Sequence, residues 1–185
     1  MGLCLSKIMR PVHGTLIIMQ KFKRRIYNSP KALWHDLSWT MRNRKTVRGA
    51  MNGNSVSFPF RERLMLTVTA VNGCRYCSYY HAKEAIKAGL PDAELQKMLV
   101  GVVDDAPADE LPALIYAQHW AEMDGVVETA VRQSLINTYG ADRAQSIEAV
   151  LSMIRQGNLW GNTTDYLLYR LTLGRHGLTD EEQGE

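Results

Sequence analysis

The chain is predicted to be all-α: strand patterning is weak throughout, apolar residues recur at helical spacing, and helix caps punctuate the sequence. Ser29-Pro30 reads as an N-cap and first helical residue, and Leu33, Leu37 and Met41 follow at intervals of four. Residues 42–48 read as a basic, polar break. Asn52-Gly53-Asn54 and Pro59 mark an irregular segment before Arg61, after which 62–71 carries Leu64, Leu66, Val68 and Val71 in a largely buried helical pattern. Asn72-Gly73 ends that helix. The next starts at Cys74, runs through Lys87 and Ala88, and stops at Gly89 before Leu90-Pro91.

Further helices are expected over 92–100, 109–123, 126–139 and 142–155, with Gly101, Gly125 and Gly140 as boundaries. Val127, Val131 and Leu135 supply an apolar stripe. A final helix over 162–173 precedes an acidic tail that should fray over 180–185. The expected organisation is a basic N-terminal extension (1–40), one helical domain (41–175) and an acidic tail (176–185).

With 185 residues and 45% hydrophobic content, the chain can bury a sizeable single core. No apolar run approaches the roughly 18 residues of a membrane span, since Leu16-Ile17-Ile18-Met19 is only a short patch. Pro11, His13 and Gly14 interrupt the sole candidate for a secretory signal, so the expected location is cytoplasmic.

The net charge of +3 hides an asymmetry. Residues 1–60 hold 11 Lys/Arg against Asp36 alone, a net +10, and the remainder carries −7. The arm Lys21-Phe22-Lys23-Arg24-Arg25 could attract phosphate or anionic lipid, but no recognition motif accompanies it, and nucleic acid is not an expected partner. The plainer reading folds it onto an acidic surface or leaves it solvated. Met1-Gly2-Leu3-Cys4-Leu5-Ser6 fits the loose myristoylation pattern with Cys4 as a second acylation point, although chance is the stronger explanation.

Three cysteines, Cys4, Cys74 and Cys77, are an odd count that does not suit a disulfide-stapled secreted domain. The informative stretch is Cys74-Arg75-Tyr76-Cys77-Ser78-Tyr79-Tyr80-His81. On one helix Cys74 neighbours Cys77, and Cys77 neighbours His81. A helix N-terminus favours thiolate over thiol, and Arg75 and His81 add to that tendency, which makes Cys77 the better-placed nucleophile. Given a hydroperoxide, Cys77 would be oxidised to sulfenic acid, His81 would help deliver the proton to the leaving group, and Cys74 would condense with the sulfenic acid to form a disulfide.

Competing readings are small core cysteines beside a satisfied histidine, or zinc. A closed zinc site lacks its fourth ligand, with His119 and His176 distant in sequence, so no metal is expected. Ser78 stands where covalent haem attachment would require His.

The stretch resembles the alkylhydroperoxidase D-like branch of the carboxymuconolactone decarboxylase superfamily. In that family a Glu lies twelve residues before the first Cys of Cys-x-x-Cys-x-x-x-His, the position of Glu62 here. The resemblance spans roughly 39–173 in loose helical pattern, with motif agreement concentrated over 62–89. It implies an all-helical homo-oligomer, commonly a trimer or hexamer, with thiol-dependent peroxidase activity. It also implies attack by Cys77, resolution by Cys74, and a Glu62/His81 proton relay. No bound cofactor is implied; an external dithiol or thiol-bearing protein would recycle the enzyme.

Simple antiparallel pairing of the two helices puts Glu62 nearer Glu84 than Cys77, so its role rests on the resemblance. Tyr76 stands where several members carry His, and Tyr76 and Tyr79 are candidates for an organic-peroxide pocket. Alternatives are a general dithiol-disulfide oxidoreductase, a non-enzymatic redox sensor and, more weakly matched, a cofactor-free decarboxylase, whose superfamily relatives lack the dithiol.

Overall fold

The computed structural model describes residues 22–183. Cys4, the acylation pattern at 1–6, the apolar patch at 16–19, Lys21 and the last two residues of the tail lie outside them. Among the described residues there are nine helices and no strand, in agreement with the all-α expectation. No helix among them is long and apolar enough to cross a membrane.

The described residues fall into two compact units. The larger, Arg24–Thr163, holds α1 (Pro30–Arg42), α2 (Arg44–Met51), α3 (Phe58–Asn72), α4 (Arg75–Lys87), α5 (Asp92–Leu99), α6 (Leu111–Glu122), α7 (Thr129–Tyr139) and α8 (Ala141–Leu171) through Thr163. Its centre is α3, which packs against α4, α5 and α6. Phe60, Leu64, Met65 and Val68 join Leu114 and Trp120 of α6 and Ile147, Val150 and Leu151 of α8 in the main core. Leu66 turns instead to Ala85, Leu90, Leu95 and Met98. A helix buried on nearly all sides shows little amphipathic periodicity, and α3 reads that way because it is the hub.

Charge is buried in this hub too. The Arg63 guanidinium grips Glu94 with two hydrogen bonds of 2.5 and 3.1 Å and reaches Glu110 at 3.0 Å, tying α3 to α5 and to the start of α6. Hydrogen bonding to Glu94 holds Arg63 protonated above its ordinary range, despite burial. Burial raises the Glu110 carboxyl even though Arg63 opposes the rise.

Three local expectations are corrected. Residues 42–48 do not break the chain: α2 forms with Val47, Ala50 and Met51 turned to the core and Arg44, Lys45 and Arg48 turned outward. The basic composition concealed a short apolar face at i, i+3 and i+4 spacing. Pro59 likewise opens α3 instead of preceding it, because Ser57 caps the helix through Phe60 N–H (3.4 Å), and proline is well accommodated in a first turn.

The third correction concerns α8. The two helices expected over 142–155 and 162–173 are one helix of 31 residues, which Gly157 and Gly161 do not interrupt.

The described part of the smaller unit comprises residues 22–23 and 164–183. Phe22 meets Tyr166 edge-on at 5.4 Å and Tyr169 at 5.9 Å between ring centroids. Residues 180–183, expected to fray, form the short helix α9, where the Glu182 carboxylate accepts Thr179 N–H at 2.9 Å and Lys23 N–H at 3.0 Å.

Candidate active site

The junction of α3 and α4 is as short as two helices allow. Gly73 closes α3 with φ +68° and donates its N–H to Thr69 O at 2.8 Å; Cys74 immediately caps α4. The left-handed backbone at Gly73 favours glycine, and the Arg24 side chain packs where a Cβ would stand. Helix α4 therefore begins with its free N–H groups at the cysteines.

Cys74 and Cys77 are joined as a disulfide with Cα atoms 5.3 Å apart, inside the ordinary range for that bond. The two sulfurs differ in environment. Cys74 is fully buried, whereas Cys77 is half-buried at the edge of the core. Cys77 N–H donates to Cys74 Sγ at 3.3 Å, so the helix-terminal donor serves Cys74. Cys74 takes the cap position, and Cys77, in the first turn of α4, has the greater accessibility and a four-residue spacing to His81.

Glu62 is 1% exposed, not a surface carboxylate at a helix start. Its Oε2 lies 2.7 Å from His81 Nδ1, and its Oε1 accepts from Arg61 Nε (2.9 Å) and Nη2 (2.7 Å). The register that pairs 62 with 84 is close to the real one. His81 sits three residues before Glu84, about 4.5 Å along the helix axis, within the reach of two side chains. Glu62 thus meets the histidine, and through it the cysteine helix.

Burial pushes the Glu62 carboxyl up, but the hydrogen bonds from His81 and Arg61 outweigh burial and hold it below its ordinary 4.5. An ionised carboxylate only accepts, so His81 Nδ1 carries the shared proton. Nε2 is left as the nitrogen that can take up or release a second one. Tyr80 packs edge-on against the His81 ring at 5.0 Å between centroids.

Arg61 was not anticipated. Adjacent helix positions do not ordinarily face one another, so no spacing rule links it to Glu62. It is anchored by Met51 O at 2.6 Å and lies over the Phe58 ring at 4.8 Å. Tyr76 and Tyr79, the candidate pocket residues, are 46% and 68% exposed. Tyr76 carries the Arg75 guanidinium over its ring, and Tyr79 carries Lys83.

A second polar cluster, also absent from the sequence reading, supports the junction from α8. Asn162 Nδ2 donates to Asn72 O (2.8 Å), Asn72 Nδ2 to Asn158 Oδ1 (3.2 Å), and Asn158 Nδ2 to Thr69 Oγ1 (3.0 Å). All four residues are buried. The end of the basic arm joins them: Arg25 donates to Ala121 O and, at 2.5 Å, to Glu122 O, carbonyls of the last turn of α6, while Arg24 reaches Asn162 Oδ1 at 3.3 Å. Arg25 therefore folds back onto the negative end of a helix, not onto an acidic side-chain surface.

Helical hub, dithiol and carboxylate–histidine pair together define an all-α domain built around a cysteine-pair site. Residues 40–123, which span α2 to α6 and contain Glu62, Cys74, Cys77 and His81, match the carboxymuconolactone decarboxylase family. The match is to the superfamily that the motif resemblance implied. No curated protein and no solved structure matches the chain.

Proposed function

We propose that the protein is a thiol-dependent hydroperoxidase in which Cys77 attacks, Cys74 resolves, and the Glu62–His81 pair relays protons. The observation that carries this reading is a buried, ionised Glu62 held 2.7 Å from a histidine on the same helix as a Cys74–Cys77 disulfide. Attack of the Cys77 thiolate on ROOH breaks the O–O bond and leaves Cys77 as sulfenic acid. The departing RO⁻ takes a proton through His81 and leaves as ROH. The Cys74 thiolate then displaces hydroxide from the sulfenic acid, which leaves as water, and the disulfide forms.

Recycling consumes an external dithiol. Its thiolate attacks the accessible Cys77 sulfur, and Cys74 leaves as a thiolate under the Cys77 N–H cap. The reductant's second thiol then closes its own disulfide and frees Cys77. Family membership is shared by decarboxylase and peroxidase chemistry, and the paired thiols favour the second. Cofactor-free decarboxylation uses no redox couple.

The test is steady-state hydroperoxide consumption with dithiothreitol or dihydrolipoamide in wild type, Cys77→Ser and Cys74→Ser. Turnover should vanish in Cys77→Ser, and Cys74→Ser should complete one oxidation and stall. Unchanged turnover in Cys77→Ser removes the assignment. Reduction of a model disulfide without peroxide turnover would favour a general dithiol-disulfide oxidoreductase.

A further inference from the structure

Gly161 has no side chain in the interior of a long α-helix, where alanine is the better helix former by roughly 1 kcal/mol. A Cβ built there would stand 2.8 Å from Cys74 Sγ and 3.5 Å from Tyr76 Cδ2, with no third atom within 4 Å. Gly157, one turn earlier, has nothing beyond its own helix within 4 Å among the described residues, so general crowding of α8 is not the cause. Asn158, one turn before Gly161, and the adjacent Asn162 bond to Thr69 and Asn72, which lead into Cys74.

We propose that this face of α8 is a built seat for the Cys74 sulfur, with Gly161 as a positioning residue that acts through Cys74 on the redox poise of the pair. Gly161 lies outside the matched segment 40–123. In the disulfide the Cys74 sulfur is pinned to Cys77 and must occupy the space over Gly161. In the dithiol only the Cys77 N–H hydrogen bond restrains it, and the sulfur can shift further than the covalent link allows. A methyl group at 161 therefore penalises the oxidised form more than the reduced form, and the bond becomes a stronger oxidant.

The inference rests on the dithiol being a redox couple, and two measurements separate the two claims. Equilibration of wild type and Gly161→Ala with glutathione buffers, quantified by thiol alkylation and mass, should show the variant shifted about tenfold toward the dithiol. Chemical denaturation of Gly161→Ala should show destabilisation in the oxidised wild-type background. In a Cys74→Ala/Cys77→Ala background, where the sulfur is gone, the same change should be neutral or stabilising. An unchanged glutathione equilibrium, or the same stability change in both backgrounds, overturns the seat. If the wild-type pair forms no disulfide at any glutathione ratio, the peroxidase reading fails, and the denaturation comparison still decides the role of Gly161.

Discussion

Glu62 on α3 and His81 on α4 are joined by a 2.7 Å hydrogen bond between Oε2 and Nδ1, and Arg61 occupies the other carboxylate oxygen. The pair fixes the imidazole's tautomer and orientation four residues from Cys77. It also makes the proposed relay depend on a charge held in the protein interior.

Removing that charge while keeping the shape isolates its role. Glu62→Gln and His81→Asn should each lower the rate of Cys77 oxidation by hydroperoxide by about 10²-fold or more, the usual contribution of a positioned proton donor. Stopped-flow fluorescence or competitive peroxide assays check this. Rates within twofold of wild type would remove both residues from the relay.

Acid stability carries a sign that follows from the same carboxylate. Folded Glu62 titrates below its ordinary 4.5, so the unfolded chain takes up the proton first. Its stabilisation is present above the unfolded value and is lost as pH falls through the folded one. Glu110, raised by burial, has the opposite sign and gains as pH falls. Urea midpoints measured from pH 6 downward should therefore fall less steeply in Glu62→Gln and more steeply in Glu110→Gln than in wild type.

Arg63 sits between two carboxylates in the hub. Arg63→Ala should cost about 3–5 kcal/mol in denaturant unfolding, because Glu94 and Glu110 lose the cation they face in a poorly solvated place. Arg63→Met combined with Glu94→Leu should cost much less. Similar losses in the two variants would show that packing, rather than charge pairing, governs the position.

Features governed by local chemistry could be read from the sequence. The Ser29 and Gly73 caps, the α3–α4 junction and the stop at Gly89 depend on a few adjacent residues, and they lie where the sequence predicts. Features governed by distant partners could not. Arg44, Lys45 and Arg48 masked the buried side of α2, and Gly161 fell between two expected helices with its neighbour, the Cys74 sulfur, 87 positions away in sequence. Glu62 fell between these cases. Its register was nearly right, but simple pairing pointed it to Glu84, and its pairing with His81 came from the resemblance, not from spacing.

The central claim is that Cys77 and Cys74 together take two electrons from a hydroperoxide. Its most direct test is the intact mass of fully reduced protein after one equivalent of hydroperoxide, with peptide mapping of the product. Wild type should lose two hydrogens to a Cys74–Cys77 disulfide while one equivalent of ROH and one of water are released. Cys74→Ser should instead hold one added oxygen on Cys77, trappable by dimedone. Free thiols at both positions beside unconsumed peroxide would contradict the account.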